Sequence, residues 1–233
     1  MSANEFITRF APSPTGHLHL GHAKSAFHVW DAAQANNGKV LLRMEDIDQT
    51  RCKPEYEASI LNDLCWLGLE WAGQVRRQSA SEEKTRLSQG HPYAWRLSLE
   101  AAKAELGTVY DRLCYTELTQ EGLKIVPADP SPYGDVVLAR KETPTSYHLA
   151  CCHDDNLQGV THIIRGEDIR DMTSVHALLQ ALMGWTRPVY HFHPLIMGPD
   201  KRKLSKRAGD KGLLAWREDG MRPEDIRAMT GPS

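Results

Sequence analysis

The sequence predicts an α/β fold built on a parallel sheet, and three observations carry that expectation. First, an apolar strand (Phe6, Ile7, Phe10, Ala11) runs into a Pro/Gly turn and then into a helical pattern through Ala23, Ala26, Phe27 and Trp30. Second, Asn36-Asn37-Gly38 stops that helix, and Lys39 to Arg43 follows as a short buried strand on Val40, Leu41 and Leu42. Third, strand, helix and strand fit within about forty residues, the span of a right-handed parallel βαβ unit and the start of a Rossmann-like sheet. Ligands of such sheets sit at the carboxyl ends of the strands. Arg9 to Ser13 and Glu45, in the acidic loop Met44 to Asp48, are therefore expected side by side.

The 233 residues allow one large or two small domains, and 41% hydrophobic with 25% charged residues supply both a core and a solvated surface. No apolar run approaches a membrane span, and the first residues lack the basic-then-apolar pattern of a secretory signal. A cytoplasmic protein without membrane contact is expected. Five cysteines, an odd number, point to reduced thiols rather than a disulfide framework. The net charge of -2 argues against indiscriminate nucleic-acid binding but leaves room for a local basic face that grips one RNA.

Pro54 to Gly68 reads as an amphipathic helix with Ile60, Leu61, Leu64, Cys65 and Leu67 on its apolar side, Cys65 being expected in the core. The pattern is helical again from Ser79, breaks at Gly90-His91-Pro92, and resumes as helix from Tyr93 to Leu106. Thr108 to Asp135 is the least regular part, with strand-like Val109-Tyr110, helix-like Thr116 to Glu121, and a loop containing Pro127, Pro130 and Pro132. Asp135 to Arg140 and Ser146 to Cys152 read as strands. On a strand, Cys151 and Cys152 point to opposite faces and do not share an ion, so core packing is expected of them. Val160 to Arg165 is another buried strand, followed by a helix to Met183, and Val189 to His193 is the last strand, with His191 and His193 read as exposed histidines.

The stretch from Thr8 to His22, which ends His-Leu-His-Leu-Gly-His, carries phosphate-binding chemistry. Ser13, Thr15, Gly16 and Gly21 permit close backbone approach, the new helix presents N–H groups, and two histidines add donors. His19 and His22 share a face of the first helical turn, with Gly21 between them leaving room for a flat base or ribose. By itself this pattern also fits a βα turn with surface histidines. Far downstream, Lys203-Leu204-Ser205-Lys206-Arg207 follows the turn Gly198-Pro199-Asp200, and alone it would pass for a solvated basic loop.

In this order and at this separation, the two stretches resemble the HIGH and KMSKS signatures of class I aminoacyl-tRNA synthetases. The flanks Thr8 to Gly16, Arg43-Met44-Glu45-Asp46-Ile47-Asp48 and Arg165-Gly166-Glu167-Asp168 resemble the glutamate branch. The resemblance covers nearly all of the chain but only the catalytic half of a full glutamyl-tRNA synthetase, because Ala208 to Ser233 is too short for an anticodon-binding domain. In this the chain resembles the stand-alone glutamyl-queuosine tRNA(Asp) synthetases. The implied organisation is a first catalytic half over residues 1–106, an inserted acceptor-binding-like segment over 107–134, and a second catalytic half with the lysine loop and a helical tail over 135–233.

The resemblance implies ATP-dependent activation of L-glutamate and its transfer to queuosine in the anticodon stem-loop of tRNA(Asp), by a monomer. Free glutamate carries two carboxylates and an ammonium, so a selective pocket wants two cations and an anion, and the planar fork of arginine suits the carboxylates. The implied glutamate ligands are Arg9, Phe10, Ala11, Pro12, Ser13, Glu45, Tyr147 and Arg165. ATP would lie on Gly16, His19, Gly21, His22 and Lys206, with Mg²⁺ on its β- and γ-phosphates. His19, His22, Lys203 and Lys206 would stabilise the transferring phosphate, and Gly198 would hinge the lysine loop. Alternatives are a truncated glutamyl-tRNA synthetase acting on a tRNA 3′ end or another acceptor, a nucleotidyltransferase, and a non-catalytic nucleotide-binding module. Two departures from the family stand out. Where many relatives hold zinc with a Cys-x-Cys pair and a later Tyr and Cys, this chain has Arg112 and Cys114 and no further cysteine before Cys151, so no zinc is expected there. Cys151 also replaces an asparagine common in the full synthetases.

Overall fold

The computed structural model describes residues 5–48, 50–76, 94–140, 145–197, 204 and 211–231. Two compact units emerge, one of Met1–Arg76, His162–Asp168 and Phe192–Ser233, the other of Arg77–Thr161 and Ile169–His191.

The first unit opens with β1 (Ile7–Phe10), α1 (Leu20–Ala35), β2 (Lys39–Met44), α2 (Pro54–Trp66) and β3 (Gly73–Arg76). The three strands form a parallel sheet in the order β1-β2-β3, with Arg9 opposite Leu41 and Leu41 opposite Gly73. The expected βαβ unit is therefore present. Its return turn depends on Gly38, where a Cβ would meet Phe6 O at 2.5 Å, and Lys39 N donates to that same oxygen at 2.8 Å. Leu42 and Met44 from β2, Ala26 and Phe27 from α1, and Ile60 and Leu64 from α2 bury together as the core. Cys65, expected in that core, is exposed instead, because the buried side of α2 runs through Ile60, Leu64 and Leu67 and turns the next position outward.

The second unit contains β4 (Ala94–Arg96), α3 (Leu99–Leu106), β5 (Cys114–Thr119), β6 (Gly122–Pro127), β7 (Val137–Arg140) and α4 (Tyr147–Leu157). The chain then passes through β8 (His162–Gly166) in the first unit, α5 (Thr173–Met183) in the second, and β9 (Val189–His193), whose last two residues belong to the first unit. Helices α6 (Leu213–Glu218) and α7 (Pro223–Thr230) complete the first unit. Arg227 clamps α7 to α1 through two bonds to Asp31, at 2.6 and 3.2 Å, and Lys24 Nζ donates to Thr230 O at 3.0 Å. Among the described residues no helix is long and apolar enough to cross a membrane.

Four local expectations are corrected in the second unit. Helix over Tyr93 to Leu106 shrinks to α3, capped by Ser98 Oγ accepting from Ala101 N at 3.2 Å, and Ala94–Arg96 is a strand paired with β7. Val109-Tyr110 lies in a 3₁₀ helix, Gly107–Arg112, rather than a strand. Thr116 to Glu121 is not helical. β5 runs through Thr119 and pairs antiparallel with β6 across a tight turn, and with β9 in parallel at Thr116–Val189 and Glu117–Tyr190. Ser146 to Cys152 is α4 rather than a strand, since Ser146 Oγ caps the helix by accepting from Leu149 N at 3.3 Å. The helical expectation from Ser79 lies outside the described residues.

One buried charge in the first unit predicts a pH dependence. Asp63 on α2 is fully buried, receives no hydrogen bond from the described residues, and has Arg217 of α6 as its ion partner at 3.6 Å. Burial pushes its carboxyl up to about 6, against the opposing pull of Arg217. Between the ordinary carboxylate value near pH 4 and about 6 the folded chain keeps a proton that the unfolded chain has released, so this group's contribution to stability falls as pH rises through that window. We expect the stability difference between Asp63→Asn and the parent to shift in favour of the variant by about 2–3 kcal/mol between pH 4 and 7, read by urea unfolding at each pH.

Candidate active site

The site grows from the N-terminus of α1, where a helix leaves backbone N–H groups without intrahelical partners. His19 is the N-cap, and its Nδ1 accepts from Gly21 N at 3.1 Å, while His22 Nδ1 accepts from His19 N at 3.1 Å. A ring nitrogen that accepts carries no proton, so each neutral ring holds its hydrogen on Nε2, the nitrogen suited to donate to a phosphate oxygen. The two ring centroids stand 3.9 Å apart. Gly21 also makes room for the cap itself. A Cβ there would meet His19 Cε1 at 3.0 Å, so the missing side chain makes room for the imidazole itself.

Both histidines and Gly21 line a cavity of about 310 Å³, together with Asp168, His193 and Leu204. Leu204 is the described residue of the Lys203–Arg207 stretch, and Lys203, Lys206 and Gly198 lie outside the described residues. Downstream of that stretch, Gly212 forms an antiparallel bridge with His19, and Leu213 N donates to Leu18 O. The polypeptide that carries the second signature thus returns beside the first. His193, read from sequence as exposed, is buried: its Nδ1 lies 3.1 Å from Pro194 O, its Nε2 lies 2.7 Å from Ser25 Oγ, and its ring stacks on His28. A carbonyl can only accept, so Nδ1 carries the proton and Nε2 takes the hydroxyl hydrogen of Ser25.

Three buried charges approach the carboxyl ends of strands in the same unit: Arg9 on β1, Glu45 just past β2, and Arg165 on β8, which lies alongside β1. Glu45 N donates to Pro12 O at 3.1 Å, so the two strand exits run side by side as expected. Phe10 and Pro12 are buried there, Ala11 and Ser13 are half-buried, and Gly16 sits in the turn ahead of α1. Glu45 is held by a residue to which the sequence reading assigned no role. Arg43 is fully buried and its Nε lies 2.9 Å from Glu45 Oε1. Its signal was present as a charged pair at i and i+2 in an apolar strand, a spacing that puts both side chains on one face. Asp168 stood in the flank Arg165 to Asp168 without an assigned role, and His193 carried no such signal, because a cavity assembles them from separate strand ends. Tyr147 is the first residue of α4 in the other unit, and its ring is partly exposed.

Residues 5–88 and 81–229 match the family described as tRNA synthetases class I (E and Q), catalytic domain. The chain belongs to this family. Within it, the sequence is 40% identical to the glutamyl-Q tRNA(Asp) synthetase of Rhodobacter capsulatus, over 97% of this chain and 99% of that protein. It is 35% identical to the glutamate–tRNA ligase of Oleidesulfovibrio alaskensis, over 96% of this chain but 56% of that enzyme, so the class I domain seen here spans about half of such ligases. The crystal structure of the glutamate–tRNA synthetase from Elizabethkingia anophelis superposes with a TM-score of 0.71 at 24% identity, covering 94% of this chain and 60% of that one, which shows the shared fold. The chain is thus a ligase-family catalytic domain of the class I synthetases, with the parallel α/β architecture that its sequence predicts.

The buried and exposed ion pairs of this domain should differ sharply in energetic weight. Arg43→Met removes the buried guanidinium that meets Glu45 Oε1 at 2.9 Å and should cost about 3–5 kcal/mol. Arg227→Ala removes a pair whose side chains are 46% and 30% exposed, and should cost under about 1 kcal/mol. Denaturant unfolding of the two variants checks this ordering.

Proposed function

We propose that this class I domain activates L-glutamate with ATP and transfers it to queuosine in the anticodon stem-loop of tRNA(Asp), in the cytoplasm and as a monomer. The observation that carries this reading is the cavity that His19 and His22 share with Leu204, in a unit whose strand ends bear buried Arg9, Glu45 and Arg165. The 40% identity that runs the whole length of a glutamyl-Q tRNA(Asp) synthetase supports queuosine as the acceptor.

In this reading the glutamate α-carboxylate attacks the α-phosphate of ATP, giving glutamyl-adenylate and pyrophosphate, and an acceptor hydroxyl then attacks the acyl carbon, breaking the acyl–phosphate bond and releasing AMP. Arg9 and Arg165 hold the carboxylates of glutamate, Glu45 holds the ammonium, and Phe10, Ala11, Pro12 and Ser13 complete the pocket. Arg43 acts by positioning Glu45. The Nε2–H groups of His19 and His22 meet the phosphates from the helix side, with Gly16 and Gly21 allowing close approach, while Lys203 and Lys206 neutralise them from the loop that Gly198 hinges. Asp168 on the cavity wall would offer Mg²⁺ an oxygen ligand, and the ion would supply further neutralisation of the phosphates. The catalytic halves over residues 1–106 and 135–233 then flank a segment, 107–134, that engages the acceptor.

Labelled glutamate, ATP and Mg²⁺ should label tRNA(Asp) from queuosine-containing cells and leave tRNA(Asp) from queuosine-deficient cells unlabelled. Equal label on both would assign the acceptor to a 3′ end, the reading that the 35% identity to glutamate–tRNA ligases favours. Pyrophosphate release without glutamate would point to a nucleotidyltransferase, and nucleotide binding without turnover to a non-catalytic module. Lys206→Ala should slow adenylate formation by orders of magnitude while glutamate affinity stays nearly unchanged; unchanged turnover would remove Lys206 from the mechanism.

A further inference from the structure

The second unit holds a cluster of soft ligands that the synthetase chemistry does not use. Because Ser146 to Cys152 folds as α4 and not as a strand, His148, Cys151 and Cys152 stand at i, i+3 and i+4 and share one helix face. That face meets His176 of α5. The ligand atoms of Cys151, Cys152 and His176 all lie within 4.8 Å of one another, and each of the three residues is 3% exposed or less. Cys151 Sγ is 3.8 Å from His176 Nε2, and His148 Nδ1 is 3.0 Å from that same nitrogen.

These separations are close to those of a zinc tetrahedron. Zn–S bonds of about 2.3 Å and Zn–N bonds of about 2.0–2.1 Å put sulfur and nitrogen ligands about 3.6 Å apart and two nitrogens about 3.3 Å apart. Two thiolates and an imidazole select a thiophilic ion over Mg²⁺ or Ca²⁺. Half-buried His148 and the partly exposed Tyr147 mark the side from which an ion gains access.

We propose that Cys151, Cys152 and His176 form a binding site for Zn²⁺ that staples α4 to α5, with His148 beside it, 3.0 Å from His176. This is not the position near Arg112 and Cys114 where many relatives hold zinc, and none of its three residues lines the cavity beside His19 and His22. A metal bound here sets the orientation of α4, the helix that begins with Tyr147.

The test uses the full chain, untagged so that no polyhistidine competes, purified under reducing conditions without chelator. Elemental analysis after gel filtration should find about one zinc equivalent per chain. Metal-stripped protein titrated with Co²⁺ should develop a thiolate-to-cobalt charge-transfer band together with tetrahedral d–d absorption. Cys151→Ser and Cys152→Ser should each lose the band or collapse its intensity, while Cys114→Ser keeps it. Should the α4 variants fail to fold, the parent protein still decides, because two thiols should resist a thiol reagent until a chelator is added. A folded parent with no retained zinc, no cobalt band and no chelator-dependent thiol protection would overturn the site, as would metal that persists unchanged in folded Cys151→Ser.

Discussion

The reciprocal cap on α1 is the constraint from which the rest of the candidate site follows. The first turn of a helix must give its N–H groups to some acceptor, and serine or aspartate usually serves. Here two imidazoles do so, His19 for Gly21 N and His22 for His19 N. Accepting through Nδ1 settles the tautomer, so the cap that stabilises the helix also turns an Nε2–H of each ring into a donor. The same His19 forms a backbone bridge with Gly212, which ties the polypeptide after the lysine stretch to the first signature. A local rule of helix termini thus joins two segments separated by nearly the whole chain.

The first unit also buries charge at its strand ends. Taking Arg43 and Glu45 out of water costs more than an apolar pair of similar volume would. Their 2.9 Å contact offsets part of that cost and leaves Glu45 with one orientation, at the exit of a strand whose backbone is paired on both sides. Preorganised charge on rigid elements is what selective binding of a small zwitterion requires. Asp63 differs: its guanidinium partner stands 3.6 Å away, beyond hydrogen-bond reach, and the carboxyl responds by holding its proton to higher pH.

In the second unit, one hydroxyl decides the character of a segment. Ser146 Oγ caps Leu149 N and lets a stretch that reads as a strand fold as α4, which turns alternating faces into a shared one. His148, Cys151 and Cys152 then face His176, and the two cysteines are both core residues and a ligand pair.

From sequence alone came the parallel βαβ start, the helix stop before Gly38, the two signature stretches and their family, because each is written in local periodicity, turn chemistry or motif order. The places of Arg9 and Glu45 at strand ends and of His19 and His22 at a helix start were legible for the same reason. The hairpin of β5 and β6 was not, since Thr116 to Glu121 takes its conformation from cross-strand partners that local propensity does not contain. Tertiary packing alone decided that Arg43 holds Glu45, that His193 is buried against Ser25 and His28, and that Cys65 faces solvent. It also brought His176 to the α4 cysteines, because contacts between residues distant in sequence are set by how whole elements pack and leave little trace in either segment.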